Sequence, residues 1–515
     1  VTTIPEVVRG AAERFADHEA LVDGARRWTF RQLLDDVEAV ARGFLATGLE
    51  HGDRVAIWAP NSAEWMLAAL GAQWVGGVVV PLNTRFKGPE AAYVIEKSGA
   101  RLLFTVHGFL GIPYVEEIGR AMAHPPSTIL IEGAANDGRP WADFVAAGRD
   151  ISESELAARM SQVSDADLSD IIFTSGTTGH PKGVMSRHDQ TCEVFRTWSD
   201  VVGLTADDRY LIVNPFFHTF GYKAGFLACL LTGATAIPEP IFDVPRVLQR
   251  VADERITMLP GPPTLYLSIL NHPERDRHDL SSLRLAVTGA AAVPVEMIER
   301  MRRELTFRTI LTAYGLTEST GVVTMCRAED DAHTISHTSG RAIPGVEVRI
   351  VNEQNHELPR GESGEIVCRG YNVMPGYFAD HDATRAAIDD DGWLHTGDVG
   401  VMDERGYVTI TDRMKDMFIV GGFNAYPAEI ENSLLAHPGV AQVAVVGAPD
   451  ERMGEVGHAF VVRRPGTEVA EADLIEWSRP RMANFKVPRR VTFVDALPTN
   501  ASGKVLKFEL RQLAR

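Results

Sequence analysis

Cysteine is scarce in this chain: its 515 residues include only Cys192, Cys229, Cys326 and Cys368. No two stand as a CxxC, and none falls at a ligand spacing with histidine, which argues against a disulfide framework or a structural zinc site. Four free thiols in a reducing cytoplasm are expected instead. Positive charge is also short, with 51 Lys+Arg against 69 Asp+Glu and a formal net charge of −18. Nonspecific nucleic-acid binding is therefore not expected, because phosphate backbones attract net basic surfaces. Small anions remain admissible, since they respond to local field rather than total charge. Long apolar runs are missing. The longest, residues 224–238, is interrupted by Cys229, Thr232 and Gly233 and falls short of the roughly 18–20 residues that span a bilayer. The first twenty residues lack the apolar centre of a signal peptide,. No internal repeat or low-complexity tract is present, and a soluble cytoplasmic protein is expected.

What is present is an ordinary globular mix, 45% hydrophobic and 23% charged, over a length that suits two or more domains. Apolar residues Leu33, Leu34, Val37, Val40, Ala41 and Phe44 recur at three- and four-residue spacing and predict a helix over 28–49. Short apolar strands are predicted at 55–58 and 78–81, with Ser62 capping the helix between them. This βαβα rhythm indicates a mostly parallel, helix-covered sheet. A second series of strands is predicted at 170–174, 210–213, 257–259, 285–288 and 309–312, each ending in a loop where open α/β sheets bind ligands. From about residue 345 the pattern turns to short strands at 346–351, 365–368 and 407–411, which read as a small β-barrel or meander. A polar stretch follows, and then strands at 417–420, 440–446, 458–462 and 491–494 with a helix at 427–435. The expected fold is α/β: a large domain over 1–411, made of two α/β sheet subdomains and a small β-barrel-like subdomain, a hinge at 412–415, and a small mobile α+β domain over 416–515.

The sharpest local signal is Thr174-Ser175-Gly176-Thr177-Thr178-Gly179-His180-Pro181-Lys182-Gly183, directly after the strand at 170–173. Its glycines, four hydroxyl residues and lysine can offer backbone N–H groups, O–H donors and positive charge to polyphosphate oxygens. It is not a Walker A loop, because Pro181 and Gly183 flank the lysine where glycine and Ser/Thr would stand,. It is not a nucleophile elbow either, because Phe173 occupies the first glycine position,.

Further motifs follow in order: Phe216-Phe217-His218, Tyr314-Gly315-Leu316-Thr317-Glu318, His395-Thr396-Gly397-Asp398, Asp412-Arg413-Met414-Lys415-Asp416 and Asn500-Ala501-Ser502-Gly503-Lys504. Together they resemble the adenylate-forming superfamily of acyl-CoA synthetases, luciferases and nonribosomal-peptide adenylation domains, over nearly the whole chain. The resemblance implies ATP, Mg²⁺ and CoA, and an acyl-adenylate intermediate. Two anions must be brought together, a carboxylate and an α-phosphate, so cations and metal are required. It assigns the nucleotide to Thr174, Ser175, Gly176, Thr177, Thr178, Gly179, Lys182, Gly289, Ala290, Ala291, Ala313, Tyr314, Gly315, Thr317, Asp398, Ile410, Arg413 and Lys504. It assigns the metal to Glu318 and Thr177, catalysis to Lys504, Glu318 and Thr317, and the hinge to Lys415. Read without the resemblance, Asp398 is equally a turn aspartate bonding its own backbone, Gly289-Ala290-Ala291 a tight turn, and Lys504 a solvated lysine. His180 and His395 depart from commoner family forms, at positions that bear none of this chemistry.

Gly421-Gly422-Phe423 would form the channel for the pantetheine arm, since glycines admit a narrow thiol chain, although a plain β-turn reads the same. Arg479, Arg481, Lys486, Arg489 and Arg490 form a basic cluster in an acidic chain. Arg479, Arg481 and Lys486 are candidates to meet CoA phosphates, against the alternative of a solvated face. On the acyl side the resemblance points to His218, Phe220, Gly221, Lys223, Ala224, Gly225 and Ala290, with small residues leaving room for a bulky apolar acid. A lysine in an apolar helix is costly unless paired or wet, so Lys223 is expected at the pocket mouth or on a polar group of the substrate.

Segments such as NPFFHTFGYKAG and LTAYGLTES look most similar to actinobacterial acyl-CoA ligases that activate the propionate side chain of partly degraded steroid rings. The expected partners are thus a small carboxylic acid, ATP and CoA, with no nucleic acid and no transmembrane segment; a homodimer is left open. Medium- or long-chain fatty acids and aryl acids are the alternative substrates. Loading of a carrier protein and a non-catalytic nucleotide-binding scaffold are the alternative functions.

Overall fold

The computed structural model describes residues 2–132, 138–174, 180–289, 293–413, 417–498, 505 and 507–514. Alternation of helices and strands resolves into two helix-covered sheets. The first has seven strands, in the order Arg139–Pro140, Ser127–Glu132, Leu102–Val106, Arg54–Trp58, Val78–Pro81, Leu168–Thr174 and Lys182–Arg187. Neighbours are parallel up to Leu168–Thr174, which then pairs antiparallel with Lys182–Arg187, Thr174 opposite Lys182. The helix predicted over 28–49 runs Phe30–Ala46, started by a reciprocal Thr29–Gln32 cap, and Ser62 caps the helix Ala63–Trp74 as expected.

The second sheet runs through Arg26–Thr29, Glu19–Asp23, Thr235–Pro238, Arg209–Ile212, Leu285–Thr288, Thr309–Tyr314, Thr324–Met325 and Arg341–Ala342. Its two halves are joined by Met258, which bridges Tyr210 on one side and Leu285 on the other. A full strand was expected at 257–259. The prolines that follow, Pro260, Pro262 and Pro263, lack N–H groups and cannot extend a ladder in mid-sheet.

The next segment is a four-stranded antiparallel meander of Val346–Val351, Ser363–Gly370, Leu394–Met402 and Val408–Arg413. The C-terminal sheet is ordered Phe423–Ala425, Phe418–Val420, Gly454–Arg463 and Val440–Asp450, with Arg490–Phe493 parallel to Gly454–Arg463. Among the described residues, the main apolar core draws on residues 4–394, and the C-terminal sheet carries two apolar clusters of its own, one within residues 418–491 and one within residues 444–514. The four cysteines are buried free thiols. Among the described residues, no helix is long and apolar enough to cross a membrane.

Candidate functional site

Strand ends gather the chemistry. The strand Leu168–Thr174 delivers the start of the Gly/Thr loop and the antiparallel return strand begins at Lys182, so both flanks of the loop stand at one point of the first sheet. Ser175, Gly176, Thr177, Thr178 and Gly179 lie outside the described residues. The Lys182 ammonium sits 5.0 Å from the centre of the Tyr377 ring, a cation–π distance. The Tyr377 hydroxyl donates to Glu318 Oε1 at 2.8 Å. Tyr377 is itself fixed by backbone pairing with the return strand: Met185 N–H donates to Gly376 O and Phe378 N–H to Gly183 O. Burial, reinforced by the neighbouring Glu318 carboxylate, pushes the Tyr377 phenol far above its ordinary range, so it is a neutral donor,. Lys182, Tyr377 and Glu318 thus form a continuous line from the loop to the second sheet.

Glu318 lies in the short turn Thr317–Ser319 just beyond the strand Thr309–Tyr314. Asn372 is fully buried and braces this turn: its side-chain amide donates to Val322 O, and its main-chain carbonyl accepts from the Thr320 hydroxyl. Gly315 is demanded by crowding, because a Cβ there would lie 2.2 Å from Gly321 O. Gly289 closes against the same strand, where a Cβ would lie 2.7 Å from Ala313 O. Ala290 and Ala291 lie outside the described residues. The Tyr314 hydroxyl donates to Asp398 Oδ2 at 2.7 Å, tying the second sheet to the antiparallel meander. Burial, with Asp398 adding to it, holds the Tyr314 phenol well above its ordinary range. Ile410 and Tyr314 both pack on the small apolar cluster of Ile350, Ile366, Met402 and Val408. Arg413 pairs backbone to backbone with Asp398. Lys415 and Lys504 lie outside the described residues.

On the acyl side, His218 caps the turn Thr219–Gly221, its Nδ1 accepting from Phe220 N–H at 3.2 Å. The ring is reachable by solvent, yet the surrounding protein pushes its imidazole below the ordinary range. The acceptor role of Nδ1 leaves the proton of a neutral ring on Nε2. Phe220 is half-buried, whereas Gly221, Ala224 and Gly225 are buried. Gly221 crosses the Asn214 and Pro215 carbonyls so closely that a Cβ would lie within 2.3 Å of both oxygens.

Lys223 does not stand at a pocket mouth. Its side chain is 1% exposed and its Nζ lies 2.9 Å from Asp170 Oδ1, with Asp170 wholly enclosed. Nζ also donates to the Thr191 hydroxyl at 3.3 Å, and Ser169 Oγ donates to Asp170 Oδ2 at 2.7 Å. Burial lowers the Lys223 pKa and Asp170 opposes it. The pairing alternative of the sequence reading wins, with a protein carboxylate in place of a substrate group.

A second correction concerns the basic cluster. Arg479, Arg481, Arg489 and Arg490 are exposed, and the Arg481 guanidinium lies over Trp477. Lys486, by contrast, is buried, its Nζ 2.8 Å from Glu90 Oε1 and 2.6 Å from Glu429 Oε1. Two carboxylates hold the charge that a CoA phosphate was expected to meet. Gly421 and Gly422 both adopt left-handed backbone, φ +55° and +87°, which glycine enters without penalty. Phe423 stacks on Phe485, with ring centres 4.9 Å apart.

Comparison with known proteins adds a second line of support. Residues 8–378 match the family described as AMP-binding enzyme, and residues 429–504 match the AMP-binding enzyme C-terminal domain. A 3-[(3aS,4S,7aS)-7a-methyl-1,5-dioxo-octahydro-1H-inden-4-yl]propanoyl:CoA ligase of Rhodococcus jostii is 51% identical, covering 99% of this chain and 98% of that one. The protein of the same description from Mycobacterium tuberculosis is 49% identical, covering 99% of each chain. Among solved structures, an amide bond synthetase from Marinactinospora thermotolerans superposes with a TM-score of 0.86 at 28% identity, covering 99% of each chain. An o-succinylbenzoate CoA synthetase from Bacillus subtilis, also 28% identical with 99% of each chain covered, gives 0.83.

Proposed function

The chain belongs to the AMP-binding enzyme family and is an ATP-dependent acid–thiol ligase, and from that premise we propose that its acid is a bulky bicyclic keto acid activated at a propionate side chain. One observation carries the choice: near-full-length identity of 51% and 49% to two ligases named for an indane propionate. The acid attacks the α-phosphorus of ATP, forming acyl-adenylate and releasing pyrophosphate. The CoA thiol then attacks the acyl carbon and AMP leaves.

In this reading Thr174, residues 175–179 and Lys182 surround the phosphates. Ala313, Tyr314 and Gly315, with residues 289–291 and Ile410, flank the base, and Asp398 with Arg413 takes the ribose. Thr317 lies by the α-phosphate. Glu318 fits a metal ligand: it is a carboxylate oriented through one oxygen by a neutral phenol, and Mg²⁺ commonly takes one or two carboxylates with the rest of its shell from phosphate and water. Glu318 and Thr177 would hold Mg²⁺, which when bound neutralises polyphosphate charge. Lys504 would bring a further cation to the reacting carboxylate, carried by residues 416–515 turning about 412–415. His218 and Phe220 would border the acid, and Gly421, Gly422 and Phe423 the thiol path.

Substrate choice is tested by comparing kcat/KM for CoA-dependent AMP formation across three classes of acid: a methyl-dioxo-octahydroindene propionate, a C8–C16 fatty acid series and ferulate-like aryl acids. The proposal expects the bicyclic propionate to lead by at least roughly 100-fold, the discrimination that about 2.7 kcal/mol of transition-state binding supplies. A fatty or aryl acid in the lead would refute it.

A further inference from the structure

Where the C-terminal sheet meets the first sheet's helices, the two apolar cores share no residue, and charge makes the junction. Lys486 reaches from the C-terminal side to Glu90, on the helix Gly88–Ser98, and also holds Glu429, on the helix Pro427–Leu435. The three side chains are 2%, 11% and 14% exposed. Glu90 and Glu429 both stand in the first turn of their helices, where the positive end of the helix dipole favours a carboxylate. Those two dipoles offset the cluster's excess negative charge. Glu90 is held in place through Oε2, which accepts from Lys87 N–H at 3.0 Å.

The junction continues beside this cluster. The Lys486 ammonium lies 4.9 Å from the Phe86 ring centre, and the Arg85 guanidinium lies 5.7 Å from that of Phe423. Gly422 faces Pro262. The charged cluster therefore sits on the same seam as the Gly421–Phe423 turn.

We propose that Lys486, clasped between Glu90 and Glu429, is a positioning residue for the thiol half of the reaction, seating the Gly421–Phe423 turn against the first sheet's loops. The inference rests on the acid–thiol ligase reading above, in which that turn borders the thiol path. A buried ion pair suits such a seat. Its Coulombic gain and desolvation cost nearly cancel, so it specifies orientation without fastening the two parts irreversibly, as a shared apolar core would.

The test separates the half-reactions in single-turnover experiments. Acid-dependent pyrophosphate release without CoA reports acyl-adenylate formation; acyl-CoA appearance after adding CoA reports the second step. In Glu90→Gln and Lys486→Met, the second step is expected to slow by at least roughly tenfold while the first stays within about twofold. Lys486→Arg keeps a cation between the two glutamates and should retain most of the second step. The intact first step also serves as the check that each variant folds. Equal loss in both steps, no loss in either, or a Lys486→Arg variant as slow in the second step as Lys486→Met would overturn the clasp. A wild-type enzyme that forms acyl-adenylate but never acyl-CoA would instead overturn the ligase reading on which it rests.

Discussion

Tyr377 donates a hydrogen bond from its hydroxyl to Glu318 Oε1 at 2.8 Å while its ring face carries the Lys182 ammonium. One side chain thereby sets the distance between the cation that flanks the loop proposed to take the phosphates and the acid proposed to hold the metal. Removing the hydroxyl leaves the ring and its cation but frees the carboxylate to turn. In Tyr377→Phe, kcat/KM for ATP is expected to fall roughly 10- to 100-fold, the worth of a hydrogen bond to a charged group. Steady-state titration of ATP and Mg²⁺ checks this, and the loss should shrink as Mg²⁺ is raised.

Asp398 offers a prediction confined to the nucleotide. Its carboxylate is proposed to take the ribose, and Tyr314 already holds one of its oxygens. Asp398→Ala should raise the ATP KM by roughly 10- to 100-fold and leave the CoA KM within about twofold. Calorimetric titration of AMP into both proteins gives the same comparison without turnover.

The Lys223–Asp170 pair predicts a non-additive effect on stability. Lys223→Met strands a fully enclosed carboxylate and should cost about 3–5 kcal/mol, as breaking one side of a buried pair does. Adding Asp170→Leu removes the stranded charge and should recover most of that loss. Urea unfolding of the two single variants and the double variant measures the coupling.

His188 predicts acid sensitivity. It is wholly enclosed, its Nδ1 accepting from Ile4 N–H at 3.2 Å, and burial lowers its pKa from 6.5 to about 4. The unfolded chain therefore binds a proton that the folded chain refuses between these two values. Stability is full above pH 6.5 and falls as pH drops toward 4, by roughly 3 kcal/mol at the limit. His188→Gln should flatten this part of the curve, read from urea midpoints at pH 7 and pH 4.5 in both proteins.

Much of this architecture was legible because local rules and tertiary packing agree. The helix at 427–435 and the strands at 78–81, 285–288 and 346–351 were placed to the residue, each bounded by turn or capping chemistry. The strands at 182–187 and 394–402 were not foreseen, since their glycines and charged residues mask the apolar alternation that marks a strand. The residues proposed for the site stand in motifs legible in the sequence, but the braces that hold them do not. Tyr377 follows a Pro-Gly pair and carries no local sign that it will reach Glu318, 59 residues away. Lys223 and Lys486 read as available cations, since a sequence shows a charge but not the distant carboxylate that neutralises it. Asp170 stands 53 positions from Lys223 by number, and Glu90 stands 396 from Lys486.

The most direct measurement follows the nucleotide itself. With acid, ATP, Mg²⁺ and CoA supplied, chromatography of the products should show AMP, pyrophosphate and acyl-CoA in equal amounts, with AMP formation abolished when the acid is withheld. Release of ADP and orthophosphate, or ATP breakdown that ignores the acid, would contradict the account.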